Sequence, residues 1–250
     1  MFFYKIYLLL LPNNFPTEIV SIIKKKQILK KDKELKILDI GCYIGNFSKV
    51  LNTELKSLDC KKSYYLIDPN FNINNKLKAL NFKFKLYNLA IDNSDKIKIF
   101  YLNNFFQSSG SSLNKITVND FFWNFSRKLL TLNFFKNYSK IYVQCQTLDN
   151  FTRNNKIKKI NILKFDTEGN ELNILLGGQK ILKKTSIVYF EILSKKNKFS
   201  KKFNKINDIL KNNKFFLYKK KRIISVSFFS NLIAYDYIYL KKTDYQFIIK

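Results

Sequence analysis

Residues 36–48 read KILDIGCYIGNFS, and how this stretch is read decides the fold. Lys36–Ile40 is a short apolar run of strand character that Gly41 stops. Phe47, Val50, Leu51 and Leu55 then recur at helical spacing, with Asn46 as the expected N-cap. A second strand follows at Tyr64–Ile67 and ends in Asp68-Pro69, a helix lies near Ile73–Leu80, and a third strand covers Phe84–Asn88. The first 90 residues therefore alternate β-α-β-α-β. That order predicts parallel strands joined by right-handed helical crossovers.

The same rhythm returns in the second half. Ile160–Phe165 is a strand of buried type ending in Asp166-Thr-Glu168-Gly169, and Leu172, Leu175 and Leu176 mark the helix after it. Glu171 sits in the first turn of that helix, where a negative charge suits the dipole. Ile187–Phe190 reads as a strand ending in Glu191, Lys201–Lys211 as a helix, and Phe215–Tyr218 and Asn231–Leu240 as strands. The middle is less regular. Lys96–Leu102 is a strand expected to pair near Leu86–Ile91, QSSGSS (107–112) is a loop, Asn119–Tyr138 is aromatic-rich and partly helical, and Tyr142–Gln146 is a strand. Ahead of the first strand, residues 17–31 carry Ile19, Ile22 and Ile23 on one helical face. No repeat or linker divides the chain, so a single domain is expected.

Composition limits the chemistry. With 250 residues the chain can bury a sizeable core. It contains no histidine, which removes imidazole bases, Ser-His-Asp catalysis and histidine metal ligands. Its three cysteines, Cys42, Cys60 and Cys145, have neither zinc-site nor disulfide-framework spacing and fit a cytoplasmic location. The run Phe2–Leu11 is too short to span a membrane and carries Lys5, so neither a transmembrane segment nor a signal peptide is expected. Net charge is +28, with 46 Lys+Arg against 18 Asp+Glu. Such a surface suits nucleic acid or an anionic membrane. Yet all but three of the cations are lysine, and arginine is the residue of bidentate base and phosphate recognition. The excess of Lys, Asn, Ile, Phe and Tyr over Gly also fits a genome with A/T-rich codons.

Acids collect at strand ends: Asp68, Asp166 and Glu191, with Asp39 beside the first glycine turn. Ligands of open α/β sheets bind at the carboxyl ends of the strands, so these acids point to one crevice. The spacing Gly41-x-x-x-Gly45 matches neither a dinucleotide fingerprint nor a P-loop. Asp68 follows at the end of the next strand, where an acid can accept both hydroxyls of an adenosine ribose.

Several blocks, in order, resemble the FkbM-type methyltransferases, a family of S-adenosylmethionine-dependent enzymes with a Rossmann-like fold. They are ILDIGCYIGNFS (37–48), LIDPN (66–70), NLAIDNSD (88–95), SSGSSL (108–113), QTLDNF (146–151), LKFDTEGNELNILLGG (163–178), IVYFEI (187–192) and NLIAYDYIYL (231–240). The resemblance covers about residues 35–240, and the KFDTEGNE block is its most specific part. It implies a doubly wound, mostly parallel seven-stranded α/β sheet with an antiparallel last strand. The methyltransferase domain would span 35–250 with a variable insert near 103–140, preceded by a strand/helix extension over 1–34.

The resemblance further implies S-adenosyl-L-methionine as cofactor and methyl transfer to a hydroxyl of a sugar, glycan precursor or other small metabolite. The cofactor would be held by Asp39, Gly41, Tyr43, Gly45, Asn46, Asp68 and Asn88. With histidine absent, Asp166, Glu168 and Glu191 are the candidate catalytic bases, Asp166 and Glu168 being favoured because their turn faces the crevice. The alternatives for that pair are a divalent cation with oxygen ligands and a plain cap on the helix near Asn170. No metal is assigned. Cys42 is read as a packing residue. An RNA or DNA methyltransferase exploiting the basic surface, and a cofactor-binding module without turnover, are the rival readings. Nucleic acid is the less favoured partner.

Overall fold

The computed structural model describes residues 15–26, 34–104, 110–115, 138–223 and 232–245. The run Phe2–Leu11 and nearly all of the expected helical stretch 119–138 lie outside the described residues.

In chain order the strands are β1 (Glu34–Ile40), β2 (Lys61–Ile67), β3 (Phe84–Tyr87), β4 (Ala90–Asp92), β5 (Ile97–Asn103), β6 (Tyr138–Thr147), β7 (Ile160–Phe165), β8 (Thr185–Lys195), β9 (Phe215–Ile223) and β10 (Leu232–Lys241). The α-helices ahead of β9 are α1 (Phe15–Lys26), α2 (Asn46–Glu54), α3 (Asn74–Leu77), α4 (Leu148–Asn154), α5 (Glu171–Leu176), α6 (Gln179–Leu182) and α7 (Lys196–Asn212), among the described residues. Seven strands form the main sheet in the order β3-β2-β1-β7-β8-β10-β9. The first five are parallel, and β10 runs antiparallel to both β8 and β9. This is the doubly wound sheet with an antiparallel last strand that the family resemblance implies. The winding reverses between β1 and β7, which makes their carboxyl ends the switch point.

Strand alternation buries both faces. On β1, Leu35 and Ile37 face one side, with Leu38 and Ile40 on the other. The first face is covered by α1 through Phe15, Ile19 and Ile23 and by α2 through Phe47 and Leu51. Tyr189 of β8 stacks there between Phe15 and Phe47, at 5.1 and 5.4 Å. The opposite face is covered by α4, α5, α6 and α7 through Phe151, Leu175, Leu182 and Leu210. Here Phe190 stacks on Phe165 at 4.9 Å and on Tyr237 at 5.4 Å.

Two local expectations are corrected. The strand read at Lys96–Leu102 does not pair with the Leu86–Ile91 region. It pairs antiparallel with β6 (Ile99↔Tyr142), in a separate three-stranded sheet of order β4-β6-β5. Apolar patterning marks a strand but does not name its neighbour. Asn46 is the first residue of α2 and not its cap. Gly45 takes that place with φ +77°, a left-handed conformation that glycine adopts without penalty.

Helix α1 is a structural part of the core, since Ile19 is completely buried. Ile19→Ala is expected to destabilise the protein by about 2–5 kcal/mol in urea unfolding. A loss below about 1 kcal/mol would show that α1 is not packed on the sheet as described.

Candidate active site

At the switch point two turns meet, one from the end of β1 and one from the end of β7. Gly41 has φ +67°, and a Cβ on it would lie 2.0 Å from the Asp166 carbonyl oxygen. Only glycine lets the two backbones approach this closely. Beneath them, Asp39 of β1 stands directly opposite Lys164 of β7 in the register. Both are buried, and Lys164 Nζ lies 2.9 Å from Asp39 Oδ1. Lys164 also donates to the Gly41 carbonyl at 2.8 Å, and Ser48 Oγ donates to Asp39 Oδ2 at 2.7 Å. Burial works against the Lys164 ammonium, but the carboxylates of Asp39 and Asp166 outweigh it and raise its pKa. Lys164 is therefore a fixed cation that ties the first turn to β7.

Asp68, just past β2, is 8% exposed and opens onto the same crevice. Its Oδ1 accepts Asn70 N–H at 2.9 Å and its Oδ2 accepts Tyr43 N–H at 3.0 Å. Each oxygen keeps acceptor capacity for a further donor. Burial pushes the Asp68 carboxyl up to about 6, against the pull of these two backbone bonds. Tyr43, at φ +48°, lines the crevice beside Gly41.

The far wall is the Asp166-Thr-Glu168-Gly169 turn. Glu168 is left-handed at φ +54° and Gly169 is at φ +116°. Glu171, fully buried at the start of α5, accepts Gly169 N–H at 2.8 Å and is paired with Lys202 of α7 at 2.5 Å. Lys202 also donates to the carbonyls of Gly169 and Leu193. From the other side, Ser112 Oγ reaches the carbonyls of Thr167 and Glu168 at 2.8 and 3.0 Å, and Asn114 Nδ2 reaches that of Gly169 at 3.2 Å. Phe100, Gly110, Ser111 and Leu113 complete the wall of a crevice of about 740 Å³, its open mouth included.

A family model for the FkbM methyltransferase domain matches residues 39–217. The chain belongs to the FkbM methyltransferase family. It is an S-adenosylmethionine-dependent methyltransferase. No curated protein matches the sequence. Solved structures similar to this FkbM methyltransferase include a candidate RNA methyltransferase from Pyrococcus horikoshii, at 13% identity, TM-score 0.45 and coverage of 92% of this chain and 85% of that one. The N-methyltransferase NodS of Bradyrhizobium japonicum is similar at 10% identity, TM-score 0.40, 92% and 98%. Magnesium protoporphyrin IX methyltransferase of Synechocystis, with bound S-adenosylmethionine, is similar at 9% identity, TM-score 0.44, 91% and 80%. At these scores the likenesses say nothing of substrate or site.

Of the residues expected to hold the cofactor, Gly41, Tyr43 and Asp68 line the crevice of this FkbM methyltransferase. The others stand elsewhere. Asp39 lies under the turn in its pair with Lys164. Gly45 packs against Leu77 and Leu80, and Asn46 is exposed on α2. Asn88 bonds Asn74 and the Asp68 carbonyl, outside the crevice lining. Among the candidate bases, Asp166 and Glu168 line the crevice and Glu191 does not. Glu191 is also not at a strand end, because β8 continues to Lys195 against β10. It sits one residue beyond Phe190, the partner of Phe165, and so level with Asp166.

Burial raises the Asp166 carboxyl, and Glu171 and Asp39 add to the rise against the pull of Lys164. Burial also lifts Glu191 well above the usual carboxylate range, helped by Asp166, Glu168 and Asp236. Burial raises the Cys42 thiol strongly, with Asp68 and Asp39 adding to it, as expected of a packing residue. Reading the sequence missed Lys164, Lys202 and Ser112. A lysine inside the strand INILKF was the visible signal for the first. Nothing local marked Lys202.

Lys164→Met leaves Asp39 buried without its cation, and a loss of about 3–5 kcal/mol is expected in urea unfolding. Removing both charges in Lys164→Met/Asp39→Leu should recover most of it. A double variant as unstable as the single one would show that the pair is not the source of the effect.

Proposed function

We propose that this FkbM methyltransferase methylates a hydroxyl oxygen of a neutral, small polyhydroxylated acceptor such as a sugar or glycan precursor. The observation that carries the reading is the pair of Asp166 and Glu168 on one wall of the crevice whose other wall holds Gly41 and Asp68.

S-adenosylmethionine, when bound, supplies a methyl group on a sulfonium, an electrophile that needs no further activation. Asp68 is assigned to the ribose hydroxyls through the free acceptor capacity of both its oxygens. Tyr43 and Asn70 hold that carboxylate in place through their backbone N–H groups. Leu89 and Ala90 supply apolar surface next to it. The raised pKa of Asp166 suits a base that accepts the acceptor's hydroxyl proton, a role worth typically about 10²–10⁴ in rate. Glu168 is the second candidate for that proton. Orientation of the two reactants supplies the larger share, up to about 7–11 kcal/mol.

A second reading, methylation of RNA or DNA, is favoured by the net charge of +28. Against it stands the sign of the crevice itself. Asp68, Asp166 and Glu168 line it without a lysine or arginine among the described lining residues, so a phosphate backbone would meet like charge there. The free thiols of Cys42, Cys60 and Cys145 support a cytoplasmic location.

Methyl-labelled S-adenosylmethionine should pass its label to members of a panel of neutral mono- and oligosaccharides. Label on mixed oligonucleotides alone would reverse the assignment. Calorimetric affinity for S-adenosylmethionine should drop about tenfold between pH 7 and pH 5, as a carboxyl titrating near 6 takes up its proton and loses acceptor strength. Asp68→Ala should bind far more weakly and show no such step. Unchanged binding in that variant would remove Asp68 from the site.

A further inference from the structure

The amino ends of β7 and β8 lie opposite the crevice, and there the charge pattern inverts. A cleft of about 480 Å³, mouth included, is lined by Lys158, Lys159, Lys183, Lys184 and Lys241, with Asp244 as the one acid among its described lining residues. Lys158 and Lys159 lead into β7, Lys183 and Lys184 lead into β8, and Lys241 closes the antiparallel β10, so the topology brings all five to one end of the sheet.

Lys241 differs from the surface lysines. It is 6% exposed, and its Nζ donates to the carbonyls of Leu182 at 2.9 Å and Asn213 at 2.6 Å, above the Phe215 ring at 4.4 Å. An ammonium has three protons to give, and these bonds use two. The partners are neutral carbonyls. A buried cation is costly unless an opposite charge accompanies it. Burial lowers the Lys241 pKa to about 8, and Lys214 adds to that against Asp244.

We infer that this cleft is a binding site for a phosphorylated anion, with Lys241 at its floor and Lys158, Lys183 and Lys184 at its rim. The ligand chemistry is that of clustered phosphate oxygens, met by point-charge ammonium donors. Its source is either a free polyphosphorylated metabolite or the backbone of a phosphodiester polymer. The site is separate from methyl transfer, because the six residues of β7 at roughly 3.3 Å each place it about 20 Å from the crevice.

The test is calorimetry of the full chain at about 0.15 M salt, with inorganic tripolyphosphate and a short single-stranded oligonucleotide as separate probes. Binding of one equivalent of tripolyphosphate alone assigns the free metabolite as the source, and binding of the oligonucleotide assigns the polymer. Lys158→Glu/Lys184→Glu should weaken binding at least tenfold, and Lys241→Met should do the same. The control Lys49→Glu/Lys78→Glu, with the same change in net charge as the rim variant, should bind as the wild type does. The rim variant alters exposed residues only, so it decides the question if Lys241→Met fails to fold. Retained S-adenosylmethionine binding in the rim variant verifies its fold. Failure of both probes to bind, several equivalents bound, or an equal loss in the control would overturn the proposal.

Discussion

The register of the two central strands, and with it the site, rests on a buried ion pair. Lys164 and Asp39 face each other on the two neighbouring strands at the switch point, and Lys164 reaches on to the Gly41 carbonyl. Taking both charges out of water is expensive, and such a pair adds little to stability over an apolar one. What it supplies is position. The ammonium can satisfy Asp39 and the turn together only if β1 and β7 are in this register. A slip of one residue would move Lys164 to the other face of the sheet.

A second clamp acts on the opposite wall. The Asp166–Gly169 turn contains a left-handed glutamate, a conformation unfavourable for a residue with a Cβ. Three parts of the chain hold it there. Glu171 takes the Gly169 amide, Lys202 arrives from α7 to neutralise Glu171, and Ser112 arrives from the loop of the small sheet. The small sheet is thus part of the crevice, since it carries the segment that braces the turn. Both walls are fixed by buried bonds to distant residues, so the crevice is formed ahead of any ligand.

How much of this is legible in the sequence depends on the range of the interaction. Strand, turn and helix follow from local periodicity and the parallel, helix-covered sheet from their alternation, while its seven strands follow from the family resemblance. Gly41 and Asp68 are legible because turn chemistry and strand ends are local features. Asp39 is misleading for a physical reason: an acid in an apolar strand looks the same whether it faces a ligand or a lysine from a strand far along the chain. Glu191 misleads in another way. The strand that keeps β8 extended past it is β10, and nothing in the IVYFEI stretch reveals that pairing. Lys202 and Ser112 act only through contacts that the sequence pattern does not encode. For the same reason the pairing of β5 with β6 is invisible until the fold is known.

The partners of β1 are unevenly spaced along the chain: β2 follows within about thirty residues, but β7 is about a hundred further on. As the polypeptide leaves the ribosome, the Asp68 half of the crevice has all its strands long before Lys164 is synthesised. Until then Asp39 has no counter-charge, and the strand edge that β7 will cover is open. At that stage the second wall of the crevice does not yet exist. The crevice is therefore completed only when the second half of the chain docks, and its two walls join segments made at well-separated times.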